Sequence, residues 1–197
     1  MSALVLASGS PQRRAILQTL AVEHRVRVPH VDEGTEGEPV RVAVQNAVLK
    51  ARAVAADEPA GTFVLGSDTV IVDGSDGGPP RAVGKPEDAA GAAGMLRRWS
   101  GSGHHVASAA AVVRSAGPGA EPSTLLAEAD TTLVRFRVLT ADDVDWYVGT
   151  EEWRGRAGGY AIQLRGSLLV EGIEGDWWTV VGLPVALLSR RTPYLLR

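Results

Sequence analysis

Apolar and polar positions follow two different periods along this chain, and each change of period marks an element. Leu4-Val5-Leu6-Ala7 is a short unbroken apolar run bounded by small polar residues, the pattern of a strand buried on both faces. Ser8-Gly9-Ser10 turns the chain, and a helix is predicted from Pro11 to about Leu20. Ser10 suits the N-cap, where its hydroxyl accepts from a free helix N–H, and Pro11 suits the first helical position, where no N–H is needed. Arg25-Val26-Arg27-Val28 alternates like a strand that Pro29 ends. Pro39 to Ala56 reads as a helix with Val40, Val44, Ala47 and Val48 on one face. Phe63 to Val72 is a second apolar strand with a polar interruption, followed by a glycine- and proline-rich loop over Asp73 to Arg81. A helix is predicted from Glu87 to Trp99, opened by Pro86. His104 to Val113 and Leu125 to Val138 read as long strands joined by a loop, which predicts an antiparallel ribbon. Thr140 caps a helix holding Val144 and Tyr147, Leu168 to Ile173 is a strand, and a closing helix runs from about Pro184 to Arg191.

Length and composition narrow the class. The chain has 197 residues, enough for one large domain or two small lobes with a substantial core. Its net charge of -3 argues against broad nucleic-acid binding and leaves room for a local anion site. With no cysteine, disulfides, thiolate-zinc sites and cysteine nucleophiles are excluded. No apolar stretch reaches the roughly 18 residues that span a bilayer. The start of the sequence lacks a basic region and long apolar core, so the expected location is the cytoplasm. Against eighteen arginines stand only two lysines, Lys50 and Lys85. A compact ammonium can approach a phosphate or carboxylate closely, which makes both lysines candidates for chemistry.

Three stretches carry that chemistry. The first is the capped helix start at Ser10-Pro11, whose free N–H groups and dipole favour an anion, with Arg13 and Arg14 adding two permanent charges; a strand–helix joint with two surface arginines accounts for it equally. The second is Gly66-Ser67-Asp68-Thr69. A carboxylate at the end of an apolar strand needs a metal, a charged partner or hydrogen bonds, so Asp68 is a candidate metal ligand or general base; a turn-capping aspartate is the plainer alternative. The third is Arg154 to Gln163, where glycines beside basic side chains permit close backbone approach and Gln163 can read a base edge; a glycine-rich turn feeding a strand accounts for it equally. Gly84-Lys85-Pro86 lacks the spacing and hydroxyl of a Walker loop and instead places Lys85 at the mouth of a helix. His104 and His105 are adjacent, which does not suit zinc.

In order along the chain, Ala7-Ser8-Gly9-Ser10-Pro11-Gln12-Arg13, Asp32-Glu33, Lys50-Ala51, Gly66-Ser67-Asp68-Thr69, Gly84-Lys85-Pro86, Ser100-Gly101 with His104, Ala157-Gly158-Gly159-Tyr160 with Ile162-Gln163, and Val180-Val181-Gly182-Leu183-Pro184 resemble the Maf family of nucleoside triphosphate pyrophosphatases. The resemblance covers residues 1–197 as a single Maf-like domain. It implies an α/β fold with two lobes around a long, bent mixed sheet flanked by helices, akin to the inosine triphosphate pyrophosphatases. It also implies a cleft between the lobes, a divalent cation (magnesium, manganese or cobalt) and a homodimer, with no nucleic-acid or membrane partner. The implied reaction cuts a nucleoside triphosphate between its α and β phosphates, clearing surplus or modified nucleotides. By the same resemblance Asp68 accepts the proton of the attacking water, and Glu33 joins Asp68 at the metal. Ser8, Ser10, Arg13, Lys50 and Lys85 hold phosphate charge. Thr69 and Gln163 match the subgroup that prefers dTTP and UTP. Gln12 stands where the family usually has arginine, and Gly155-Arg156 where it has an Asp-Lys pair. These departures motivate a second reading, a nucleotide-binding cell-division regulator with little catalysis.

Overall fold

The computed structural model describes residues 4–74 and 78–196. It is an α/β structure in which seven strands form one mixed sheet flanked by helices. The strands are β1 (Leu4–Ala7), β2 (His24–Val26), β3 (Phe63–Asp73), β4 (Arg81–Val83), β5 (Gly103–Arg114), β6 (Ser123–Phe136) and β7 (Val170–Glu174). The helices are α1 (Pro11–Thr19), α2 (Pro39–Ala55), α3 (Ala89–Trp99), α4 (Ala141–Gly149), α5 (Trp177–Val181) and α6 (Val185–Arg191). The sheet order is β2-β1-β3-β5-β6-β7, with β4 on β3.

Most predicted elements are present, and the differences have local causes. The strand expected over residues 25–28 is β2, beginning at His24 and ending at Val26, because its pairing with β1 stops at Leu6–Val26. The α3 helix starts two residues later than expected: Asp88 accepts from the Gly91 N–H at 2.7 Å, so it and not Pro86 supplies the cap. Part of the loop expected over Asp73–Arg81, residues 75–77, lies outside the described residues. Arg81–Val83 instead forms β4, antiparallel to the end of β3. The β5–β6 ribbon is antiparallel, as Phe136 N donates to Ser102 O and Gly101 N to Arg137 O. The strand expected from Leu168 begins at Val170, because Arg165–Leu169 winds as a 3-10 helix. The cap expected at Thr140 is a full capping box with Asp143.

The chain divides into two compact units. The first comprises Met1–Thr69, Ser108–Asp130 and Gly182–Arg197. Its centre is β1, buried along its whole length and parallel to both β2 and β3. That is why Leu4–Ala7 reads as an unbroken apolar run. Arg25 and Arg27 both reach the buried carboxylate of Glu58, at 2.7 and 3.2 Å.

The second unit comprises Val70–Ala107 and Thr131–Val181. Its core gathers Leu96, Trp99, Val134, Phe136, Tyr147, Tyr160 and Leu169. His104 sits among these rings, 4.3 Å from Trp99 and 5.6 Å from Phe136 between centroids, with Nε2 at 2.9 Å from the Tyr160 hydroxyl. Strand alternation turns His104 inward and His105 outward. Two motifs of the sequence meet here, since Gly158 N donates to Gly84 O at 3.0 Å and Trp99 Nε1 donates to Gly158 O at 3.0 Å. Gly158 needs its positive φ of 71° and its missing Cβ, which would stand 2.3 Å from Ile71 Cδ1.

His104 gives this core a pH dependence. Burial lowers its imidazole from 6.5 to about 4; the nearby Asp73 charge opposes that shift and His105 adds to it. The unfolded chain therefore takes up a proton near pH 6.5 that the folded chain refuses until about 4. The stabilisation is complete above pH 6.5 and is lost as pH falls toward about 4, a change of roughly 3 kcal/mol. Urea unfolding at several pH values in this window should show that slope, and His104→Phe should flatten it. Equal slopes in the two proteins would refute the assignment.

Candidate active site

The site is built in the first unit at the carboxyl ends of its parallel strands. Register places Ala7 of β1 opposite Gly66 of β3, so the turn after β1, Ser8-Gly9-Ser10, emerges beside Ser67-Asp68-Thr69. Open parallel sheets present their ligand sites at this end. Alternation along β3 then sends Gly66 and Asp68 to one face and Ser67 and Thr69 to the other.

On the first face, β3 lies against α2 with no room for a side chain at residue 66. A Cβ on Gly66 would stand 2.2 Å from Ala47 O and 2.9 Å from Ala51 N. This contact sets Asn46 and Lys50, one helical turn apart, over Asp68. Lys50 Nζ donates to Asp68 Oδ1 at 2.9 Å and meets Glu33 Oε2 at 2.5 Å. The Lys50 side chain is 8% exposed, that of Asp68 19% and that of Glu33 46%. A buried ammonium is thus compensated by two carboxylates, one fixed on a strand and one on an open loop. Asn46 holds that loop. Its Oδ1 accepts from Gly34 N at 2.9 Å, and its Nδ2 donates to Gly34 O at 3.0 Å and to Asp68 Oδ2 at 3.3 Å.

On the second face, Arg13 is buried and ties three segments together. Its Nε donates to Gly182 O at 2.9 Å, Nη1 to Ser8 Oγ at 3.1 Å and Nη2 to Thr69 Oγ1 at 3.1 Å. Burial lowers the guanidinium from its ordinary value, while Asp68 and then Glu33 pull it back up. Gly182 O also accepts from Ser67 Oγ at 3.2 Å and Thr69 Oγ1 at 3.3 Å. Thr69 Oγ1 shares a further bond of 2.9 Å with Ser108 Oγ. One hydroxyl has one proton and two lone pairs, so the Thr69 hydroxyl is fully used within the protein.

The start of α1 is arranged as the sequence predicts. Ser10 is the N-cap, accepting from Arg13 N, and Pro11 opens the helix. Ser8 Oγ accepts from Ser10 N at 3.1 Å, and Ser10 Oγ donates to Gln12 Oε1 at 3.0 Å. Gln12 is half-buried and Arg14 exposed.

Ser8, Ser10, Gln12, Arg13, Glu33, Lys50, Asp68 and Thr69 therefore all belong to the first unit. Lys85 and Gln163 belong to the second, and both are exposed. Lys85 lies between β4 and α3, and Gln163 in a turn before Arg165. The sequence pattern does not single out Asn46 or Ser108. Asn46 carries a weak signal, an amide one turn before a candidate lysine on a helix, shared with Gln45 beside it; Ser108 sits in an apolar strand and gives none.

Among the described residues no cluster of three or more His, Asp or Glu groups marks a metal centre. Glu33 and Asp68 nevertheless supply the hard carboxylate oxygens that a divalent cation takes, with Lys50 Nζ standing between them. Magnesium-type ions commonly take one or two carboxylates and complete their shell with water and substrate phosphates.

An α/β sheet with a capped helix start and a carboxylate–lysine–carboxylate centre is an arrangement that can take a phosphate-bearing ligand. The chain belongs to the Maf family, whose model, described as Maf-like protein, matches residues 3–192. It is 35% identical over 192 residues to a dTTP/UTP pyrophosphatase of Pyrococcus furiosus, covering 96% of this chain and 94% of the relative. The dTTP/UTP pyrophosphatase of Symbiobacterium thermophilum is 41% identical over 188 residues, covering 94% and 90%. That of Moorella thermoacetica is 44% identical over 187 residues, covering 94% and 91%. A HAM1 protein from Coxiella burnetii, 15% identical, superposes with a TM-score of 0.46 over 86% of this chain and 91% of that one, a remote likeness.

Proposed function

We propose that this chain hydrolyses nucleoside triphosphates between the α and β phosphates, releasing a nucleoside monophosphate and pyrophosphate. We infer dTTP, UTP or modified nucleotides of similar shape as its substrates. The observation that carries this reading is the buried Lys50 held between Glu33 and Asp68, beside the N-terminus of α1. The names of the curated relatives agree with it.

In this reading Asp68 takes the proton of the attacking water while the new P–O bond forms and the bridging P–O bond breaks. Asp68 Oδ1 is engaged by Lys50, so Oδ2, facing only the longer bond from Asn46, is the atom that receives the proton. Lys50, Ser8, Gln12 and the α1 N-terminus supply donors for phosphate oxygens, while Ser10, whose proton goes to Gln12 Oε1, caps the helix and aims the Gln12 amide nitrogen. Arg13 acts from behind, fixing Ser8 and Thr69. Thr69 shapes the pocket with its methyl group and backbone, since its hydroxyl is occupied. We assign Lys85 a phosphate contact and Gln163 a base contact on the family resemblance alone. Glu33 and Asp68 would hold magnesium, manganese or cobalt, which when bound supplies positive charge against the phosphate oxygens. We further propose that residues 1–197 act as one Maf-like domain, in the cytoplasm and as a homodimer, without nucleic-acid or membrane partners. Among the described residues no helix is long and apolar enough to cross a membrane.

The test is pyrophosphate release from a panel of dTTP, UTP, CTP, GTP, 7-methyl-GTP, ITP and 5-methyl pyrimidine triphosphates with each cation. Turnover of dTTP and UTP that chelator abolishes is the expected result. A different preference would point to Gln12 as the residue that redirects the site. Binding without turnover across the panel would overturn the reading in favour of the cell-division regulator.

A further inference from the structure

We infer that Asn46 is a positioning residue, holding the loop that carries Glu33 in register with Asp68. The inference rests on the proposed reaction for its catalytic consequence, but the geometry stands by itself. Lys50 alone does not fix the loop: Glu33 is half exposed, and a single ammonium–carboxylate contact lets a long side chain pivot. The Asn46 amide is 6% exposed and uses both its ends. Its paired bonds with Gly34 N and Gly34 O clamp the backbone next to Glu33 as a strand partner would. The third bond, to Asp68 Oδ2, ties that clamp to β3. Asn46 and Lys50 are one turn apart on α2, so both lie on the helix face turned toward Asp68. One helix turn therefore sets the separation of the two carboxylates, with Lys50 fixing their side chains and Asn46 fixing one backbone.

Two substitutions separate positioning from packing. Asn46→Asp is nearly isosteric and keeps the acceptor for Gly34 N, but removes both donated bonds and sets a like charge against Asp68. Asn46→Leu keeps volume and removes all three bonds. Two readouts are needed: hydrogen exchange at the amides around Glu33 and Gly34, measured without nucleotide, and steady-state kinetics. In Asn46→Leu the Gly34 amide should exchange at least tenfold faster while amides of β1 keep their protection. In both variants kcat should fall roughly 10- to 100-fold, the loss expected when a hydrogen bond to a charged group is removed, with KM changed less than threefold. Unchanged exchange at Gly34 in Asn46→Leu would overturn the inference. So would a freed loop with kcat within twofold of the parent. If the parent chain itself releases no pyrophosphate, the proposed reaction is what fails, and the exchange comparison alone decides whether Asn46 holds the loop.

Discussion

Asp68→Asn should release pyrophosphate about a thousandfold more slowly than the parent, the scale that a positioned general base contributes. The change keeps the shape of the side chain and removes its charge and one acceptor. Lys50 and Asn46 both donate to Asp68, at 2.9 and 3.3 Å. An asparagine offers only one acceptor oxygen, so one of the two donors loses its partner. Lys50 still has Glu33, so its charge remains compensated. Stability should therefore fall by about 2 kcal/mol, the worth of one hydrogen bond to a charged group. The measurement is single-turnover pyrophosphate release beside a thermal unfolding scan. A folded variant that keeps more than a tenth of the parent rate would remove Asp68 from the proton-accepting role.

Gly66→Ala should have the largest effect on folding and site together. The added Cβ would meet Ala47 O at 2.2 Å and Ala51 N at 2.9 Å, and both are backbone atoms that no rotamer can move. Either α2 or β3 must shift by about 1 Å, and an overpacked core of this kind costs about 3 kcal/mol. The displaced helix is the one that carries Asn46 and Lys50, so the two-carboxylate centre is pulled apart by the same movement. Chemical denaturation should show the lost stability. Turnover under conditions where the variant is still folded should fall at least tenfold. If stability and turnover both match the parent, the close approach of α2 to β3 is not what holds the site.

Much of this architecture is legible in the order of residues alone. The unbroken Leu4–Ala7 run, the cap at Ser10 with Pro11, the alternation of the long β5–β6 pair and the Thr140 cap are local signals, and each element forms where its period or cap chemistry indicates. The boundaries that differ are decided by partners distant in sequence or by competing caps. β2 ends where β1 stops pairing with it, and Asp88 displaces Pro86 as the start of α3. Arg81–Val83 is too short to announce itself and becomes a strand only because the end of β3 offers an open edge.

By itself, the sequence determined most of the elements, though not β4 or α5, together with the family and which side chains carry charge, because caps, periods and motif residues are local and survive without context. Only the tertiary structure decided what those side chains touch. Arg13 reads as a phosphate ligand in a linear motif; the fold buries it and engages three of its five N–H donors with Ser8, Thr69 and Gly182. Thr69 reads as a specificity residue; the fold engages its hydroxyl with Arg13, Ser108 and Gly182. Asn46 looks like nothing in particular, and it fastens the loop of Glu33 to Asp68. The physical reason is common to all three. A donor or acceptor buried in a fold must be satisfied, and which group satisfies it depends on chain segments brought together from tens of residues away.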